Sequence, residues 1–216
     1  LLENGYREIV VCGIDLGSWG EDFDNEGRAR KSNLTNLLQQ ISLLQGDYRV
    51  RLSSIDPTHV SNDLLDVIST NQRICPHLHL SMQSANALVL KRMKRRYDPA
   101  VLYDRVLTAQ KKISGLVLSG DVLVGFPTET DKQFEDTLRA IEDLRIAYPH
   151  VFPYSQRGGT PAARIPTQVP TPVRKERSAR VRLAGQAVLE SVLSEHRGVR
   201  GRVLIERSPS TKRNYK

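Results

Sequence analysis

ICPHLHLSMQS, residues 74–84, is the stretch whose reading decides the fold. Leu78, Leu80 and Met82 alternate with His77, His79, Ser81 and Gln83, and Cys75 extends the polar set backwards. A period of two is that of a strand, whose successive side chains point to opposite faces. One face is then apolar, and the other carries a thiol, two imidazoles, a hydroxyl and an amide. Cys75, His77 and His79 offer at most three metal ligands, and His59, His150 and His196 stand alone, so no metal site is assigned. A buried strand with polar residues on alternate positions faces a lumen that holds a ligand.

Short β-branched runs on either side share this character: residues 7–12, 48–53, 115–124 and 150–154. The expected strands are 7–12, 48–53, 77–82, 117–124 and 150–154, parallel and adjacent in that order. Helical patterns lie between them. Leu34, Leu37, Leu38, Ile41 and Leu44 share a face, and Gly46 follows as a stop. Asp56 and Pro57 read as N-cap and first residue ahead of Val60, Leu64, Val67 and Ile68. Asp98 and Pro99 repeat that start, and Thr130 with Gln133 forms a capping box ahead of Phe134. Strands alternating with helices predict an α/β fold, a partial parallel (β/α) barrel made of right-handed βα units.

The expected organisation is a partial barrel over 1–166, a linker and basic helix over 167–197, and the start of a truncated β-barrel over 198–216. Residues 155–172 are rich in Pro and Gly and read as a surface loop. The helix after it sets Val181, Ala184, Val188 and Val192 on one face. The chain of 216 residues has 32 Lys and Arg against 24 Asp and Glu, a net charge of +8. That balance favours a polyanionic partner such as nucleic acid. Two cysteines are too few for a disulfide framework and suit a reducing, cytoplasmic setting. No apolar run approaches a membrane span, and no obligate protein partner is evident. The sequence begins without Met and is expected to be a fragment.

In parallel βα architectures the functional residues follow the C-terminal ends of the strands. Those positions read GIDLGSWG (13–20), SSIDP (53–57), QSAN (83–86), GFPTET (125–130) and SQRGGT (155–160). Five polar, Gly-containing or acidic loops on one rim argue for a large ligand site there.

The words CPHLHLSMQS, VLKRMKRRYDP, DVLVGFPTET, RLSSIDP and VFPYSQRGGTPAAR resemble those of radical S-adenosylmethionine methylthiotransferases. The resemblance runs from about residue 5 to 206. RLSSIDP, CPHLH and VFPYS look closest to the branch acting on N6-threonylcarbamoyladenosine next to the anticodon of tRNA. It implies a radical SAM barrel and insertion of a methylthio group at C2 of that adenine. It also implies S-adenosylmethionine and [4Fe-4S] clusters as cofactors, with tRNA as partner. One cluster would cleave S-adenosylmethionine to a 5′-deoxyadenosyl radical that abstracts hydrogen from C2, and the other would supply sulfur. The family's C-x₃-C-x₂-C motif is not in this sequence, and neither Cys12 nor Cys75 is expected to be a cluster ligand. Thr128 stands where the family usually has Gly, and Ser81 where it usually has Pro.

The expected cofactor-lining residues are Gly13 and Asp15 after the first strand and Ser54 after the second. Gln83 and Ser84 follow the third; Asp121, Val122, Val124 and Gly125 come from the fourth, and Tyr154 from the fifth. Asp56 and Glu129 fit helix starts as well as a ligand role, and Phe152 reads as core. The expected RNA contacts are Arg92, Arg95 and Arg96, Arg157 and Arg164 near the rim, and Arg174, Lys175 and Arg177 on the last helix. The alternatives are a related radical enzyme acting on another RNA base or a ribosomal protein, and an RNA-binding scaffold without turnover. A phosphate-handling barrel ranks last, because GFPTET lacks paired glycines.

Overall fold

A computed structural model describes residues 1–23 and 33–204. Its strands are β1 (Glu8–Val11), β2 (Arg49–Leu52), β3 (Ser54–Ile55), β4 (His77–Gln83), β5 (Val117–Val124) and β6 (Ile146–Pro153). All pairings are parallel. β1 pairs with β2, and β3 to β6 pair in chain order. β2 is the expected strand 48–53, ending at Leu52, and β3 falls in the expected rim loop just past it; Ser53 between them donates its N–H to Val11 O at 2.9 Å. A bridge between Val50 and Ile74 ties β2 to the segment entering β4. The result is the expected open partial barrel.

The helices are α1 (Leu34–Ser42), α2 (Asn62–Thr70), α3 (Ala87–Arg92), α4 (Pro99–Lys112), α5 (Asp131–Asp143) and α6 (Thr171–Glu195). Asp98 accepts from Val101 N–H at the start of α4, and Thr130 and Gln133 form the expected capping box on α5. The expected start of α2 needs correction. Asp56 and Pro57 open only a short 3-10 turn (Pro57–His59), and Val60 leaves helical geometry at ψ 74°. Ser61 then caps α2 by accepting from Leu64 N–H at 3.2 Å.

Alternation along the strands builds the core. Val50, Leu52, Leu78, Leu80, Met82, Leu118, Val122 and Val124 are at most 2% exposed. They belong to one apolar cluster with Leu64, Leu65, Leu102, Val106, Phe134 and Ile141. Each such side chain contributes about 1.5–3 kcal/mol on burial. Val122 and Val124 therefore face the helices, and their side chains do not line the cofactor site as expected.

β6 begins at Ile146, four residues before the expected start. Arg145, in the left-handed region at φ 55°, closes the link from α5 within two residues. The earlier start fixes the register Ser119↔Tyr148, Asp121↔His150 and Leu123↔Phe152. Phe152 is 51% exposed, not core. α6 packs on β6 so closely that a Cβ on Gly185 would lie 2.3 Å from the Pro149 ring. Its buried stripe is Arg177, Ser178, Val181 and Gly185, offset from the expected valine face. Residues 198–204 form no strand, and the remainder of the expected tail strand lies outside the described residues. Among the described residues no helix is long and apolar enough to cross a membrane.

Candidate active site

The face of the sheet opposite the helices carries a band of polar side chains. On β4 the side chains of His77, His79, Ser81 and Gln83 are partly exposed, while Leu78, Leu80 and Met82 between them are buried. Cys75 precedes this strand and is buried at its foot, with its N–H donating to Val50 O at 2.8 Å. From β5, Ser119 Oγ lies 2.9 Å from His77 Nε2 and 2.8 Å from His79 Nδ1. Asp121 Oδ1 lies 3.1 Å from His79 Nε2, and His150 on β6 brings its Nδ1 to 3.8 Å from the same oxygen. His150 therefore does not stand alone. On the far side, Arg49 and Arg51 of β2 grip the carboxylate of Glu8 on β1 at 2.5 and 2.8 Å. Burial alone would raise the Glu8 carboxyl, but its hydrogen bonds and charge pairing with both arginines hold it below its usual range. Burial, with Arg51 and His79 adding, pushes His77 down to about 4, so its ring is neutral at physiological pH.

At the C-terminal rim, a cavity of about 270 Å³ opens between β1, β3, β4 and the segment after α3. Asp15, Ser54, Asp56, His59, Ser81, Arg95 and Arg96 are among its lining residues. Asp15 accepts from Ser18 Oγ at 3.1 Å and faces His59 Nδ1 at 3.5 Å. Arg95 lies 3.5 Å from Asp56 Oδ2. Arg95 and Arg96, expected as RNA contacts, both lie at the rim cavity, where Arg95 is half-buried beside Asp56 and Arg96 is exposed. Gln83 ends β4 in the left-handed region at φ 53°, beside the irregular pairing of β4 with β5.

The GFPTET loop closes the opposite part of the rim. Gly125, at φ 72°, donates its N–H to Glu129 Oε2 at 2.6 Å, and a Cβ there would collide with Arg174. Thr128 takes φ 67°, which explains the usual Gly at that position. Glu129 is 5% exposed; burial pushes its carboxyl up, against the pull of the Gly125 N–H and Arg177. Arg177 Nη1 lies 2.7 Å from Glu129 Oε2, and its Nη2 lies 2.6 Å from Asp131 Oδ1. Glu129 is thus a structural acid tying the loop to α6. Tyr154 packs edge-on against Phe126 at 5.6 Å, with its buried hydroxyl unpartnered.

The structure corrects several expected contacts. Ser84 is fully buried, its Oγ 3.0 Å from Thr137 Oγ1 on α5, so the side chain points away from the lumen. Arg177 is 3% exposed in its ion pair and does not reach an RNA phosphate. Arg174 is tied to Tyr154 O and to Thr171 Oγ1. Arg92, Arg96, Arg157, Arg164 and Lys175 are exposed. The sequence reading missed Glu8, Arg51, Ser119 and His150. Strand parity exposes the first three, since Glu8 shares a face with Val10, and Arg51 with Arg49.

Cys12 is exposed at the upper end of β1, whereas Cys75 is buried at the foot of β4. These two thiols do not fit a shared cluster. The rim does fit a zwitterionic nucleoside, because hydroxyls, carboxylates and guanidinium groups converge on one cavity.

The sequence model of the Radical SAM superfamily matches residues 3–141. The chain belongs to the radical SAM superfamily. It is 37% identical over 206 residues to a threonylcarbamoyladenosine tRNA methylthiotransferase of Rickettsia prowazekii, covering 95% of this chain and 48% of that protein. A Thermotoga maritima protein of the same name is 40% identical over 180 residues, covering 82% of this chain and 39% of that one. A tRNA-2-methylthio-N(6)-dimethylallyladenosine synthase of Aquifex aeolicus is 31% identical over 206 residues, covering 95% and 46%. The chain spans about half the length of the curated relatives it matches. Among solved structures, the radical SAM barrel resembles the Kitasatospora setae methyltransferase TsrM (TM-score 0.56, 14% identity, 74% of this chain and 30% of that one). Escherichia coli coproporphyrinogen III oxidase matches with a TM-score of 0.52 at 20% identity, over 74% of this chain and 36% of that one. These structural likenesses establish the fold.

Proposed function

We propose that this chain forms much of the catalytic barrel of a tRNA methylthiotransferase. Its substrate would be N6-threonylcarbamoyladenosine next to the anticodon, modified at C2 of the adenine in the cytoplasm. The observation that carries this reading is the 35–40% identity to four proteins named for that reaction, three of them at 37–40%. The dimethylallyladenosine synthases reach 31–35%.

S-adenosylmethionine and [4Fe-4S] clusters, when bound, would supply the radical, the sulfur and the methyl group. The chain's own residues provide the setting. Gly13, Asp15 and Ser54 present backbone, carboxylate and hydroxyl to the rim, and Gln83 offers its amide from the end of β4. Asp121 belongs to the lumen wall below, and Gly125 lets the chain turn where Arg174 crowds it. The exposed Arg92, Arg96, Arg157, Arg164 and Lys175 would meet tRNA phosphates, which fix position without reading sequence. The target base must leave its stack to reach the rim.

The test is complementation. A complete reading frame carrying this chain is expressed in cells lacking the 2-methylthio group on N6-threonylcarbamoyladenosine, and tRNA nucleosides are analysed by mass spectrometry. The reading expects the methylthiolated threonylcarbamoyl nucleoside to reappear. Methylthiolation of the dimethylallyl nucleoside alone would move the chain to the other branch.

A further inference from the structure

We propose that His79, Asp121 and His150 form a binding site for a divalent first-row metal ion of the zinc type on the lumen wall. The three residues come from neighbouring strands β4, β5 and β6 and share one face. Asp121 and His150 are directly opposite in register, and His79 is opposite Ser119, one step below Asp121 on that face.

The spacing is that of a ligand set. Tetrahedral zinc with bonds of about 2.0–2.1 Å places neighbouring ligand atoms about 3.3 Å apart. Asp121 Oδ1 lies 3.1 Å from His79 Nε2 and 3.8 Å from His150 Nδ1, and one atom from each residue falls within 4.8 Å of the others. The outermost ligand is also the adjustable one, because the His150 side chain is 58% exposed and its ring can turn inward. Two imidazoles and one carboxylate are a donor set used by open metal sites, which leave a position for water or an oxygen of a ligand.

A second observation supports the assignment. Metal-binding histidines usually use their other ring nitrogen to bond a partner that fixes the ring. His79 does so: its Nδ1 meets Ser119 Oγ, which also meets His77 Nε2. Ser119 Oγ can accept from His79 Nδ1–H while its own hydroxyl proton goes to His77 Nε2. That direction of the relay turns the lone pair of His79 Nε2 toward Asp121. A lone pair facing a carboxylate at 3.1 Å calls for a cation between them. The opposite direction leaves Nε2–H donating to Asp121, which describes the metal-free form. Metal binding reverses the direction of the relay, a change of tautomers with no net change in bound protons.

The test uses the full chain, free of any affinity tag, titrated with Co²⁺ as a visible stand-in and then with Zn²⁺ in competition. The proposal expects one tightly held Co²⁺ per chain with a visible absorption band that Zn²⁺ abolishes. His150→Ala and Asp121→Asn should each weaken binding about tenfold or more, and Ser119→Ala should weaken it about tenfold through loss of ring orientation. Zn²⁺ should raise the melting temperature of the wild type but not of His150→Ala, whose exposed position leaves the metal-free melting temperature unchanged. Cys12→Ser should leave the band intact. A band that depends on Cys12, or equal affinity in wild type and His150→Ala, would overturn the proposal.

Discussion

Replacing Arg177 with Met should destabilise the chain by about 3–5 kcal/mol, the usual cost of breaking a buried ion pair by removing one partner. The side chains of Glu129 and Arg177 are 1% and 4% exposed, and their contact is 2.7 Å. Without the guanidinium, the Glu129 carboxylate keeps only the Gly125 N–H as a partner in its burial site. Such a charge is neutralised by taking up a proton, so the cost should shrink as pH falls toward the carboxyl's raised value. Replacing both partners, Glu129→Gln with Arg177→Met, removes the stranded charge and should cost clearly less than the two single losses added together. Asp131→Asn is the internal control: that carboxylate is 91% exposed, and its loss should cost about 1 kcal/mol or less. Urea unfolding followed by circular dichroism reads the wild type, the two single variants, the double variant and the Asp131→Asn control, with an unchanged slope required for comparison. Strict additivity, or a cost below about 1 kcal/mol for Arg177→Met, would refute the view that this pair locks α6 to the rim loop.

Thr128→Gly should stabilise the chain by about 1 kcal/mol, since it relieves a left-handed residue and removes a buried unpaired hydroxyl; thermal melting checks it. His77 has a folded value of about 4 against 6.5 for a free ring, so the unfolded chain binds the extra proton between them. Stability from the neutral ring is therefore complete above about 6.5 and falls as pH drops toward 4. Urea midpoints at pH 7 and 5 should differ less in His77→Asn than in the wild type. Neutralising Arg92 and Arg96 together should weaken tRNA binding by about 1 kcal/mol or more with a shallower salt slope, measured by filter binding. The same change at the buried Arg177 should act through folding and leave the salt slope of the folded chain unaltered.

Parity was the most legible feature of the sequence. The alternation in residues 77–83 assigned each side chain to its correct face, because a half-polar strand has only one register that keeps Leu78, Leu80 and Met82 dry. The same rule applied to DVLV would have placed Val122 and Val124 in the core. Matching the run as a word, not residue by residue, hid that. His150 was misjudged for another reason. Tyr148 and Pro149 break the apolar pattern and hide the start of β6 at Ile146, and with it the register that sets His150 beside Asp121; proline is tolerated here on an edge strand. Arg177 and Glu129 are 48 residues apart. No local pattern separates a buried arginine from the solvated ones around it, because its partner arrives through tertiary packing. Capping was legible where side chain and backbone are neighbours, as at Asp98 and Thr130. It failed at Asp56 only because Ser61 offered a second cap.

Hydrogen transfer from the substrate tests the central claim most directly. A complete, cluster-reconstituted enzyme carrying this chain is given S-adenosylmethionine and an anticodon stem-loop bearing N6-threonylcarbamoyladenosine deuterated at C2. Mass spectrometry of the 5′-deoxyadenosine formed then reads where the label goes. The account predicts deuterium in 5′-deoxyadenosine and a methylthio group at the vacated carbon. Unlabelled 5′-deoxyadenosine with an unmodified stem-loop would contradict it.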